Sequence, residues 1–114
     1  MMRNRRCAVF CVVALIFAAG SAYAHPARKV DVRITGTQLD IVVEHKVSDP
    51  AAHFIDIIDV HVNGEKLVDQ KYLMQTDNVQ KAVYLIPSLK KGDTVSVKAH
   101  CSKNGDKEAS ITVE

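Results

Sequence analysis

The chain has 114 residues, with 15 lysines and arginines against 13 aspartates and glutamates and a formal net charge of +2. This length allows one domain beside a targeting segment. Arg3, Arg5 and Arg6 lie in the opening segment, and without them the chain has 12 basic and 13 acidic residues. The positive net charge therefore comes from the opening segment. With no basic patch, neither nucleic acid nor an acidic membrane surface is expected as a partner.

The opening segment MMRNRRCAVFCVVALIFAAGSAYA has the layout of a secretory signal peptide. A basic head precedes an apolar run, and the segment ends in the small-residue pattern Ala22-Tyr23-Ala24. The apolar run is shorter than the roughly 20 residues that span a bilayer, which argues against a permanent anchor. We predict a signal peptide at residues 1–24, cleaved after Ala24, and a single domain at residues 25–114 that is periplasmic and free of the membrane.

The cysteines limit how the domain is held together. Cys7 and Cys11 lie in the predicted signal peptide, which leaves Cys101 as the one cysteine of the exported domain. An internal disulfide is therefore excluded. A lone thiol in an oxidising compartment is expected to be buried as a packing residue, bound to a metal, or reactive.

The remaining chain alternates apolar and polar residues with a period of two, which predicts β-strands. Seven runs separated by turn signals are predicted as strands, at residues 29–35, 38–46, 53–62, 65–73, 79–87, 94–101 and 108–114. The apolar phase of the third run breaks at Ile57-Ile58, which suggests a β-bulge. Asn63-Gly64 is a two-residue hairpin signal. The pattern predicts an all-β, immunoglobulin-like, seven-stranded antiparallel sandwich.

Two strands end on residues that can bind a metal. His45 continues the apolar stripe of Leu39, Ile41 and Val43, and Cys101 similarly closes the stripe of the sixth strand. His53 opens the next strand after a short loop. If these strand ends meet, two imidazoles and a thiolate converge, and such a donor set suits iron, copper or zinc. The alternative is that each histidine is an ordinary hydrogen-bonded strand-end residue.

His25 would be the first residue after cleavage. A terminal histidine offers an α-amine and an imidazole together, which is a chelate suited to copper. The alternative is that it is merely the residue that follows the cleavage site. His61 and His100 alternate away from the apolar faces of their strands, and Met74 lies in a loop, where packing is favoured over an axial ligand role.

The segment HKVSDPAAHFIDIIDVHVNGEKL resembles the corresponding segment of superoxide reductases, the family of neelaredoxin and of the iron domain of desulfoferrodoxin. In both, a histidine, a short loop and a second histidine lead into an apolar strand and a hairpin. VKAHCSKNG is similar to the C-terminal motif of that family, Cys-Asn-x-His-Gly. The resemblance extends from about Val30 to Val113. It implies an immunoglobulin-like sandwich that holds mononuclear Fe²⁺ through four histidines and an axial cysteine thiolate, with an open position at which superoxide is reduced.

The resemblance assigns three ligands directly: His45 and His53 match the histidine pair, and Cys101 matches the thiolate. The histidine of the C-terminal motif falls on Asn104. For the family's early histidine, His25 in His25-Pro26 is the available candidate, although it is displaced, and the family's early lysine has no clear counterpart. The resemblance thus implies a degenerate iron site at His25, His45, His53 and Cys101, supplied with electrons by a small redox donor.

Two other functions compete with this one. PAAHFIDIIDVHVNGEKLV is also similar to the SoxZ-type subunit of the thiosulfate-oxidation carrier complex. That similarity implies an interaction module without metal or enzymatic activity, whose partner is a sulfur-carrier protein. Two histidines, Cys101 and Met74 are also the ligand types of a blue-copper site. That class usually has a second histidine and the methionine shortly after the cysteine, and the segment after Cys101 has neither.

Overall fold

A computed structural model describes residues 25–114. The predicted signal peptide at residues 1–24 lies outside the described residues. Seven strands follow one another: β1 (Lys29–Thr35), β2 (Gln38–Glu44), β3 (Ile55–Val62), β4 (Glu65–Lys71), β5 (Val79–Leu85), β6 (Thr94–Cys101) and β7 (Asp106–Thr112). Within residues 25–114 there is no helix long and apolar enough to cross a membrane.

The strands form two antiparallel sheets that face each other across one core. One sheet has the order β1-β2-β5 and the other the order β4-β3-β6-β7. Because side chains alternate between the two faces of a strand, the apolar residues of each strand enter the space between the sheets. The predicted all-β, immunoglobulin-like, seven-stranded sandwich is confirmed. The buried apolar side chains at its centre include Leu39, Ile41, Val43, Ile55, Ile58, Val60, Val95, Val97 and Cys101.

The third strand differs from its prediction in start and in bulge. It begins at Ile55, two residues later than expected, so His53 belongs to the loop before it. The register with β6 shifts between Ile55 and Ile57, and the register with β4 shifts between Val60 and His61. The first irregularity lies just before the expected position at Ile57-Ile58. It allows both Ile55 and Ile58 to be buried although they are three residues apart.

The hairpin between β3 and β4 is as predicted. Asn63 and Gly64 both have positive φ angles, 50° and 84°, which is the backbone of the two-residue turns that match the twist of paired strands. Asn63 also reaches the neighbouring turn, since its side-chain Nδ2 donates to Asp93 Oδ1 at 2.9 Å and its Oδ1 accepts from Thr94 N at 2.9 Å. Two turns at this end of the sandwich are thereby joined.

Asp93 is expected to stabilise the fold in a pH-dependent way. Hydrogen bonds from the Asn63 side chain and from the backbone N–H of Lys90 hold the pKa of its carboxyl below the ordinary value, against the opposing effect of burial. A lowered folded-state pKa gives stability that is present above the unfolded-state pKa, about 3.9, and is lost as the pH falls through the folded-state value. Asp93→Ala should therefore lower the melting temperature at pH 7. Below about pH 4, the melting temperature of this variant should fall less steeply than that of the parent.

Melting curves recorded from pH 7 to pH 2 test this expectation. Asp31→Ala is the matched control, because Asp31 makes only an exposed ion pair with Lys29 at 3.9 Å. If the curves of Asp93→Ala and of the parent run parallel through the acid range, the carboxylate does not contribute in this way.

Candidate metal centre

His45 lies immediately after β2, at the end of the sandwich where β1 begins. The pairing of Lys29 with Glu44 brings the start of β1 next to the end of β2. His45 continues the inward stripe of β2 and is fully buried. Its backbone N–H donates to Asn78 O at 2.9 Å, which ties it to the segment before β5. The expectation that His45 points inward at the edge of the core is therefore correct.

His53 is placed by a turn built on Asp49. The Asp49 carbonyl accepts from the backbone N–H groups of Ala52, at 3.1 Å, and His53, at 2.9 Å. The Asp49 side chain accepts a hydrogen bond from Ala51 N at 3.0 Å, as in an Asx-turn. This turn reverses the chain between the two sheets, so that the half-buried His53 side chain faces the end of β6.

Cys101 is the last residue of β6 and is fully buried. It pairs with Ile55, the first residue of β3. The following residue locks the two strands together, since Ser102 N donates to Phe54 O at 2.8 Å and Ser102 Oγ accepts from Phe54 N at 3.1 Å. Because Phe54 directly follows His53, this clamp sets the thiol against the imidazole.

His25 is held at the same end of the sandwich by the residues after it. Ala27 is buried, and Arg28 N donates to Glu44 O at 2.8 Å. Pro26 packs against Gly105, where a Cβ atom would lie only 3.2 Å from the proline ring. Gly105 also has a φ angle of 86°, so both its conformation and this close approach favour glycine.

These four side chains, the candidate ligands from the sequence, come together in one cluster. One ligand atom from each of His25, His45 and His53 lies within 4.8 Å of the others. A hydrogen bond of 3.0 Å joins His53 Nε2 to Cys101 Sγ. The ring centroids of His45 and His53 are 4.7 Å apart. The ring centroid of His25 lies 5.1 Å from that of His45 and 5.2 Å from that of His53. The cluster lies between the two sheets at one end of the sandwich, with its less buried side at His25 and His53.

The surroundings favour the neutral form of His53. Partial burial is the largest of the causes that lower the pKa of His53 from its ordinary value. The positive charges that His45, His25 and Lys103 would place nearby lower it further. A neutral imidazole has a free lone pair, which is the form that binds a metal. Several cations close together are unfavourable without an anion or a metal, and Cys101 places a sulfur ligand beside His53.

Gln75 determines which nitrogen of His45 carries a proton. Its Nε2 must be the amide NH₂ group, because it contacts two backbone carbonyls, His45 O at 2.7 Å and Asp77 O at 2.9 Å. Its Oε1 must be an acceptor, because the backbone N–H of Ile55 donates to it at 2.9 Å. His45 Nδ1 lies 2.9 Å from the same oxygen and must therefore donate to it.

The other nitrogen of His45 lies on the cluster side of the ring. There Nε2 lies 3.1 Å from the carbonyl oxygen of His25. In the Nδ1–H tautomer both atoms are acceptors, so a metal could bind Nε2 only after the His25 carbonyl has moved aside. In metal sites a ligating histidine usually donates its other ring N–H to an oxygen atom, which fixes the tautomer and the orientation of the ring.

The donor set fits a single metal ion. Imidazole nitrogen and thiolate sulfur bind iron, copper and zinc. Cys101 Sγ lies 3.0 Å from His53 Nε2, beside the three imidazoles. The residues present could thus hold a metal ion once the hydrogen bonds among them are released.

The remaining candidates from the sequence lie outside the cluster. His100 Nδ1 instead lies 2.6 Å from an Asp56 carboxylate oxygen on the outer face of its sheet. His61 is half-buried on β3 and is not part of the cluster. Met74 is 59% exposed, so it does not pack as expected. Asn104 is exposed in the turn after β6.

Sequence reasoning missed two residues of the site. Gln75 lies in the irregular segment between β4 and β5, where no periodicity marks it as buried, yet it is only 2% exposed. Lys103 lies close enough to His53 to influence its pKa, and it places a positive charge beside the less buried side of the cluster. Its position two residues after Cys101 was the available signal.

The structure is similar to those of superoxide reductases. With the superoxide reductase from Giardia intestinalis the TM-score is 0.63 at 16% sequence identity, over 78% of this chain and 100% of that one. With a superoxide reductase crystallised in the oxidised state it is 0.51 at 13% identity, over 82% of this chain and 94% of that one. No family model matches the sequence, and no curated protein is significantly similar to it.

The class of protein is thus defined by fold and cluster together. The chain is an immunoglobulin-like β-sandwich with the superoxide reductase fold, which confirms the resemblance inferred from the sequence. A cluster of three histidines and a cysteine lies at one end of it. The resemblance to the SoxZ-type subunit stays a prediction.

Proposed function

We propose that the domain binds one iron ion through His45, His53 and Cys101, with His25 completing the site, and that it reduces superoxide with electrons from a small redox donor. The observation that carries this proposal is the convergence of the three imidazoles within 4.8 Å beside a buried thiol. The superoxide reductase fold favours iron among the metals that the donor set suits. The signal-peptide pattern supports a periplasmic location.

The residues around the site fit this chemistry. A bound ferrous ion would supply the single electron that superoxide requires. The buried Cys101 would act as a strongly donating anionic ligand, protected from solvent and from external oxidants and disulfides. Lys103 would attract the superoxide anion toward the less buried side of the cluster. Gln75 would hold His45 with its Nε2 lone pair toward the ion.

Elemental analysis of the exported protein, purified without oxygen, tests the proposal. The parent should contain about one iron per chain and show a thiolate-to-iron charge-transfer band after mild oxidation. Cys101→Ala should abolish the band and lower the iron content severely, because it removes the only thiolate among the described residues. His61→Ala is the control and should bind iron like the parent, because His61 lies outside the cluster.

Two results would contradict this function. If the Cys101→Ala protein keeps the band and the iron of the parent, the ligand set is wrong. A stably folded parent that stays empty when Fe²⁺ is offered would instead favour the interaction module expected from the second resemblance. A metal-loaded parent would be tested next for consumption of superoxide without production of oxygen, with a reductant present.

A further inference from the structure

We infer that signal-peptide cleavage completes the metal site, by turning the backbone nitrogen of His25 into a free amine that binds the metal together with the His25 imidazole. The inference rests on the proposed function and on the predicted cleavage after Ala24. It assigns a ligand atom that exists only in the processed protein. The precursor would then bind the metal more weakly than the mature domain.

The backbone of His25, and not only its ring, lies at the cluster. Its carbonyl oxygen is 3.1 Å from His45 Nε2. Within one residue the nitrogen is separated from the carbonyl oxygen by two atoms, so it lies no more than about 3.6 Å away from it. The His25 nitrogen is therefore within about 7 Å of His45 Nε2, before any movement of this residue.

The chemical state of that nitrogen changes on cleavage. In the precursor it belongs to the Ala24–His25 peptide bond, where its lone pair is delocalised into the carbonyl group and is not available to a metal. In a chain that begins at His25 it is an amine with a free lone pair. The amine and Nδ1 of one histidine can bind a single ion in a six-membered chelate ring.

The ring of His25 is free to take part. Its Nδ1 has a single described partner, Pro26 O at 3.1 Å, and this hydrogen bond is exposed. An exposed hydrogen bond is readily exchanged for water or for a metal, since water offers a hydrogen bond of similar strength. The ring already packs at 5.1 and 5.2 Å from the rings of His45 and His53.

The described contacts that place His25 come from residues after it. Pro26 against Gly105, the buried Ala27, and the hydrogen bond from Arg28 N to Glu44 O hold the segment to the sandwich. Removing residues 1–24 leaves these contacts intact, so they would still place a terminal histidine at the cluster.

This amine would also add a donor to the cluster. Two donor atoms from His25 would bring the set to His45, His53, Cys101 and the His25 pair. Five donors would thereby come from four residues.

The test compares two proteins exported from full-length precursors. One is the parent, and the other carries Gly-Ser inserted between Ala24 and His25, which preserves the Ala-Tyr-Ala ending of the signal. Mass spectrometry should show that the parent begins at His25 and that the variant carries two additional residues. The affinity of each for Fe²⁺ is measured anaerobically by competition with a chromophoric chelator.

The parent should bind Fe²⁺ at least about tenfold more tightly than the insertion variant, since losing even an outer-shell partner of a metal site costs about 10–100-fold in affinity. The metal-free forms should melt at the same temperature, because the docking contacts follow His25. Gly-Ser added after Glu114 is the matched control. Glu114 follows β7 at the end of the sandwich where Thr94 begins β6, about 20 Å along β6 from Cys101. The addition there should leave the affinity for Fe²⁺ unchanged.

Each other outcome overturns the inference in a recognisable way. Equal affinities in the parent and in the insertion variant would show that the amine is not a ligand, while the iron site itself would stand. A parent that begins at a residue other than His25 would remove the chemical basis of the inference. Absence of iron binding in both proteins would mean that the proposed function fails as well.

Discussion

Replacing Gln75 with glutamate is expected to destabilise the domain by about 3–5 kcal/mol, the effect of leaving a buried charge without a partner. The NH₂ group of Gln75 donates to the carbonyls of His45 and Asp77, at 2.7 and 2.9 Å. A carboxylate oxygen in its place faces two acceptors, and a protonated carboxyl can donate to only one of them. For a domain of this size the melting temperature should fall by more than about 10 °C.

Two further variants show whether the effect comes from the hydrogen bonds of Gln75. Gln75→Met keeps a side chain of similar length and volume and should lower the free energy of unfolding by less than the glutamate variant. It should nevertheless no longer hold the proton of His45 on Nδ1. The ¹⁵N chemical shifts of the imidazole report this change. Gln80→Glu is the control and should change stability by less than about 0.5 kcal/mol, since Gln80 makes one exposed hydrogen bond. Similar melting temperatures for Gln75→Glu and Gln80→Glu would refute the assigned role.

His45→Leu is expected to abolish stabilisation by metal while leaving the metal-free domain folded. Leucine fills the buried position, and Gln75 Oε1 keeps its hydrogen bond from Ile55 N. The metal-free form should therefore change by no more than about 1.5 kcal/mol, the contribution of one hydrogen bond. In contrast, a metal present at 1,000 times its dissociation constant stabilises the parent by about 4.1 kcal/mol, and this difference should disappear.

Thermal unfolding with Fe²⁺ and with a chelator, both under anaerobic conditions, measures this effect. His61→Leu is the matched control, because it makes the same replacement on β3 outside the cluster and should keep the metal-dependent shift. A His45→Leu protein that is still stabilised by Fe²⁺ as strongly as the parent would exclude His45 as a ligand. Loss of folding without metal would show that His45 is chiefly structural.

Much of the fold was accessible from local patterns. The alternation of apolar residues predicted β1 and β6 at their observed bounds, and Asn63-Gly64 predicted a hairpin whose φ angles are both positive. The inward direction of His45 and Cys101 followed from the same alternation, because both continue apolar stripes that the core buries. The position of His53 in a loop did not follow, since the turn on Asp49 depends on hydrogen bonds that a period of two does not encode.

The sequence by itself determined the class of fold and the identity of the candidate ligands, because both depend on residue types and short spacings along one strand. Only the tertiary structure decided that His25, His45, His53 and Cys101 meet. His25 and His45 flank strands of one sheet, and Cys101 ends a strand of the other. His53 lies in the loop that joins the sheets, so the convergence depends on how the sheets face each other and on the strand order. It also decided the role of Gln75, whose four hydrogen bonds reach three residues, at positions 45, 55 and 77. A buried amide is recognised by what surrounds it, and contacts of that kind exist only once distant segments have packed together.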